Sequence, residues 1–134
     1  MPRRLGEKER KTGYMYFNVE NVKTNMSLDE ILEIIFSRGE EYRKIAKEIL
    51  EGIKEIAIKE DRKTMTINSE EMSKIINEKL GSRRKSMAYR VLSEFLIPMG
   101  LISYRREDGT YTLSQDFKNA LIRIGTAYVR WMKR

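Results

Sequence analysis

Three consecutive cations, Arg83-Arg84-Lys85, open a stretch in which Ser86, Tyr89, Arg90 and Ser93 recur at helical spacing. A second pair, Arg105-Arg106, follows beyond Pro98 and Gly100. The chemistry open to these side chains is recognition of anions and base edges. Guanidinium groups bind phosphate, hydroxyls hydrogen-bond either partner, and Arg90 can pair in bidentate fashion with guanine. At about 100° per residue, Arg83, Ser86, Tyr89, Arg90 and Ser93 fall on one arc of a helix over 83–96, and Met87, Val91, Leu92, Phe95 and Leu96 on the opposite one. One arc packs and the other is free to read. Cations in a first turn oppose the positive end of the helix dipole at about 0.3 to 1 kcal/mol each, and an incoming phosphate reverses that balance. The competing reading is a solvated basic face that only keeps the chain soluble. The coincidence with a glycine-bounded turn and a basic hairpin favours nucleic acid.

Other chemistry is excluded by residue type. Among 134 residues there is no Cys and no His, which removes disulfides, thiolate chemistry, Ser-His pairs and the commonest zinc ligand. The acid pairs Glu40/Glu41 and Glu70/Glu71 open helices, where they favour the dipole, and do not form an acid/base or metal pair. The reading is therefore a non-enzyme with no metal and no cofactor. No apolar run is long enough to span a membrane, and charge follows the start of the chain where a signal peptide would be apolar, so no membrane is involved and a cytoplasmic location is expected. The net charge of +7 is segregated: residues 82–106 carry six basic side chains and one acidic, whereas 27–61 carry six and ten. That concentration points to a polyanionic partner. Richness in Ile, Lys and Glu suggests a thermophilic prokaryote or one of its viruses or plasmids.

The elements that must position these residues read as follows. Residues 1–26 form a basic arm, in which Arg3, Arg4, Lys8, Arg10 and Lys11 serve chiefly as a solubilising tail. Residues 27–134 form a single domain. Residues 14–19 alternate as a short strand would. Ser27 to Glu30 is a capping box opening a helix that Gly39 ends, and the longest amphipathic helix runs from 40 to 59. A polar turn and a short strand at 64–67 lead to a second capping signature, Asn68 to Glu71. Its helix packs Met72, Ile75, Ile76 and Leu80 and closes at Gly81. Ser82 caps the cationic helix, which stops before Pro98. Strands at 101–104 and 110–113 flank Asp108-Gly109, a hairpin signal, and Ser114 caps a last helix over 115–133. Met65, Met72 and Met87 fill the core. The fold class is thus mainly α with a small β-hairpin.

This order resembles the winged-helix version of the helix-turn-helix. The most specific stretch is Met99-Gly100-Leu101-Ile102-Ser103-Tyr104-Arg105-Arg106-Glu107-Asp108-Gly109-Thr110-Tyr111-Thr112-Leu113-Ser114. It is similar to the segment of MarR-type and related prokaryotic transcription regulators in which Gly-Leu-Ile ends a recognition helix, a wing hairpin follows and a Leu-Ser step begins the next helix. The resemblance implies a recognition helix over 83–96 in the major groove of double-stranded DNA and a wing over 105–109 on the backbone or minor groove. The chain departs from the family in having a single terminal helix and no polar cluster marking an effector pocket. A winged-helix module docking on a protein of the transcription or replication machinery, and an RNA-binding protein stacking bases on Tyr89 and Tyr104, are the alternatives.

Phe117, Leu121, Ile124, Tyr128 and Trp131 follow a 4-3-4-3 spacing, widened by Ala120 and Ala127. This is a heptad seam that fits either a homodimer interface or packing on the chain's own core, and a seam that includes a tryptophan favours the dimer.

Overall fold

The computed structural model describes residues 15–133. Its helices are α1 (Leu28–Ile35), α2 (Glu40–Lys59), α3 (Ser69–Ile75, continued by a π-helical turn Ile76–Leu80), α4 (Lys85–Val91, continued by a π-helical turn Leu92–Leu96) and α5 (Asp116–Lys133). Strands β1 (Thr66–Asn68), β2 (Ile102–Arg105) and β3 (Thr110–Leu113) form one antiparallel sheet in the order β1-β3-β2. The molecule is mainly helical with a small three-stranded sheet. Among the described residues no helix is long and apolar enough to cross a membrane.

Local sequence chemistry sets most of these boundaries. Ser27 accepts a hydrogen bond from the Glu30 amide while the Glu30 carboxylate accepts one from the Ser27 amide. Asn68 and Glu71 repeat the arrangement at the start of α3. Each such reciprocal cap satisfies two backbone donors that a helix end leaves orphaned. α2 is the central helix. Its buried face, Tyr42, Ile45, Ala46, Ile49, Leu50, Ile53 and Ala57, meets α1, α3, α4 and the strands β1 and β3. Gly52 sits where α3 comes closest: an added Cβ would stand 2.8 Å from Ile75. Phe36, Tyr42 and Phe95 meet edge to face at centroid distances of 5.4 to 6.1 Å, locking the ends of α1 and α4 onto α2. Among the described residues the core holds no buried polar or charged side chain.

Several expectations need correction. Residues 15–18 form no strand. They run alongside α1, with the Tyr16 amide donating to the Ile34 carbonyl at 3.0 Å, and Val19–Asn21 is a 3-10 turn. Alternation of large side chains was misleading because no neighbouring edge pairs with them, and Tyr16 and Phe17 are exposed. The basic arm residues Arg3, Arg4, Lys8, Arg10 and Lys11 lie outside the described residues. Ser82 does not cap the cationic helix: Ser82–Arg84 is a 3-10 turn whose Ser82 carbonyl accepts from Lys85, and neither this turn nor α4 has a side-chain cap. The strand near 64–67 is shifted to Thr66–Asn68 and is the third strand of the hairpin sheet, with Thr66 and Thr112 hydroxyls 2.8 Å apart.

Candidate nucleic-acid interface

The cationic helix is held by its apolar face. Ala88, Val91, Leu92 and Leu96 are buried, and Met87 and Phe95 are half-buried against the same core. The opposite side leaves Arg83, Arg84, Lys85, Ser86, Arg90 and Ser93 exposed. Tyr89 departs from this set. It is half-buried against the core, with its hydroxyl 3.4 Å from Ser73 Oγ on α3, so it braces α4 on its neighbour and offers at most an edge to a ligand. Helical periodicity puts it on the exposed arc, and only the packing of α3 beside α4 covers it.

The cations differ in how free they are. Arg84 Nε lies 2.9 Å from Glu41 at the start of α2, which both relieves the repulsion from the helix dipole and ties α4 to α2. Arg90 meets Glu94 one turn on at 3.7 Å, and Arg105 meets Asp108 at 3.9 Å, exposed contacts of the kind that contribute little. Arg83, Lys85 and Arg106 have no ion-pair partner among the described residues.

The hairpin carrying Arg105 and Arg106 is placed by contacts that sequence periodicity does not reveal. Arg105 closes β2 opposite Thr110, leaving residues 106–109 as the loop, where Gly109 takes a φ of +61°. The Ser69 hydroxyl, at the start of α3, donates to the Gly109 carbonyl at 2.9 Å. Tyr104 and Tyr111 pack at 4.7 Å between ring centroids. Burial, followed by the neighbouring Tyr104 and Tyr89 phenols, holds the Tyr111 hydroxyl above its ordinary pKa. Tyr111 is thus a half-buried ring of β3 that packs on Tyr104 and against the core.

Beneath this, Arg62 forks onto Glu71 through two hydrogen bonds of 2.8 and 2.6 Å and also donates to the Thr66 carbonyl at 2.9 Å. One guanidinium thus clamps the end of β1 to the start of α3. It holds the Glu71 carboxyl down at about 2, assisted by the Asn68 amide. The capping signature Asn68 to Glu71 is legible in sequence, but Arg62 reads there as one charge of a polar turn. No signal in the chain pairs it with a residue nine positions on.

The seam residues divide. Phe117 packs half-buried against the core, whereas Leu121, Ile124, Tyr128 and Trp131 are exposed, Trp131 at 76%. No residue of α5 is buried. Within one chain the seam beyond its first turn does not pack on the domain's own core. In comparisons with known proteins, the chain matches no family model, no curated protein and no solved structure.

Proposed function

We propose that this chain is a winged-helix protein that binds double-stranded DNA sequence-specifically and regulates transcription, with α4 in the major groove and the 105–109 hairpin on the adjacent backbone or minor groove. The observation that carries the reading is the exposed cationic set, Arg83, Lys85, Arg90, Arg105 and Arg106, on the free face of α4 and its preceding turn and at the hairpin, which the Ser69–Gly109 hydrogen bond ties to the start of α3. A helix with one buried stripe and one cationic stripe fits a groove of about 12 Å, and a hairpin beside it reaches the flanking phosphates. Ser86 and Ser93 are then the small polar contacts between the arginines, with Arg90 as the base reader.

The test is a titration of the full chain against random duplex DNA, single-stranded DNA and duplex RNA over a range of salt. Duplex DNA binds best, and log K falls with log salt at about 0.9 per phosphate contacted. A flat salt response, or stronger binding to RNA, rejects the DNA reading.

A further inference from the structure

We propose that the exposed face of α5 is the interface with a second copy of this chain, paired antiparallel, and that each Trp131 seats in an apolar groove at the base of the partner's α5. The inference does not rest on the nucleic-acid reading.

α5 is 18 residues long, roughly 27 Å at the helical rise, and beyond the half-buried Phe117 and Ala120 every residue of it is exposed. Leu121, Ile122, Ile124, Tyr128, Val129, Trp131 and Met132 all stand between 41% and 76% exposed. On a wheel of 3.6 residues per turn, these positions with Phe117, Ala120, Gly125 and Ala127 occupy roughly 220° of the circumference. A two-stranded seam needs about half of that. One facing helix cannot cover such an arc, so the occupant must bring a helix and further surface, as a second copy of the domain does.

The further surface is present. A groove of about 770 Å³ opens where α5 leaves the domain, walled by Leu28, Leu50, Ile58, Leu101, Leu113 and Phe117, with the charged Glu51, Lys54, Glu55, Lys59 and Lys118 also lining it. Ile58 stands 58% exposed on its α2 side. Phe117 belongs both to this groove and to the heptad seam, so the two surfaces are continuous. Heptad geometry narrows the register: with Leu121 and Tyr128 at one core position and Phe117, Ile124 and Trp131 at the other, antiparallel pairing sets unlike positions together in registers one heptad apart, and of these one pairs both Phe117 and Tyr128 within the seam. Leu121 then meets Ile124 of the partner subunit, and Phe117 meets Tyr128 of the partner subunit. The same step carries the partner's Trp131 past the start of the helix to the level of Ser114, which lines the groove. A parallel pair places both tryptophans together, away from either groove. Area is sufficient: the Tyr128 and Trp131 rings of two chains contribute on the order of 500 Å², and the aliphatic seam adds to this toward the about 1,200 to 2,000 Å² of a specific interface.

Trp131 is the only tryptophan, so its emission reports the groove directly. The experiment is sedimentation equilibrium of the full chain without DNA, with emission recorded over the same micromolar concentrations. The expected result is a dimer whose emission shifts to the blue as it forms. Ile58→Lys and Leu121→Glu, both at exposed positions, should each raise the dimer Kd at least tenfold and return the emission to that of a solvated indole, with the circular dichroism of a folded domain. A mixture of Ser114→Cys and Met132→Cys chains should oxidise to the mixed disulfide, and Met132→Cys alone should not form a homodisulfide. Monomer throughout the range overturns the proposal. So does a dimer in which Trp131 emission is unchanged, or one in which Met132→Cys crosslinks to itself. A monomer whose groove takes up an apolar dye instead assigns the groove to a small ligand, and equally overturns it.

Discussion

Among the exposed cations, position decides role. Arg90 sits mid-helix on the free face with only the weak Glu94 contact to give up, which is what a base reader requires. Arg106 sits in the hairpin loop without a partner among the described residues, which suits phosphate. On the proposed function, Arg90→Ala should therefore lose about 1 to 3 kcal/mol on a specific site and much less on random duplex, whereas Arg106→Ala should weaken both and take about one unit from the salt slope. Anisotropy titrations on the two DNAs separate these outcomes, and equal losses everywhere would reject the division. Arg84 belongs elsewhere, since its bond to Glu41 holds α4 on α2.

For the elements, the placement of the sheet depends on the clamp between Arg62, Thr66 and Glu71. Glu71 closes the cap of α3 and receives the guanidinium, so Glu71→Ala removes both functions and should cost about 2 kcal/mol at neutral pH. The pH dependence has a fixed sign. The folded-state pKa of Glu71 is lowered from 4.5 to about 2, so its contribution is fully present above about pH 4.5 and fades as pH falls toward 2. Thermal melts between these limits should show the wild type losing its advantage over Glu71→Ala as acid is added. An undiminished gap at the acid end counts against the clamp. The other element-scale device is Gly100, with a φ of +86° and the Phe117 amide 2.7 Å from where a Cβ would stand. A side chain there would displace the start of α5, whose Phe117 amide donates to the Gly100 carbonyl at 3.0 Å.

In the whole molecule, the pairing of α5 and the placement of α4 are geometrically linked. If antiparallel α5 helices hold two domains at a fixed separation, the two copies of α4 address half-sites about 34 to 36 Å apart, one turn of DNA. The wild type should then prefer a palindrome to a single half-site. Ile58→Lys should bind single half-sites as the wild type does and lose that preference. A preference that survives in the monomeric variant would show that dimer geometry does not set the spacing.

Capping boxes at Ser27 and Asn68, the apolar faces of α1 to α4 and the Asp108-Gly109 hairpin were all legible in the sequence, because each rests on interactions within a few residues or on a regular period. The cationic stripe of α4 was legible for the same reason, since a helix fixes which side chains share a face. What required tertiary structure were the relations between elements. Residues 15–18 lack a partnering edge, so no strand forms there. Tyr89 is covered because α3 passes beside it, and Arg62 reaches Glu71 only because the turn that precedes β1 lies against the start of α3. A heptad seam encodes the wish for a partner but not its source. That α5 beyond Phe117 stays exposed on its own domain is likewise settled only by packing, since α1 to α4 and the sheet have already filled the core.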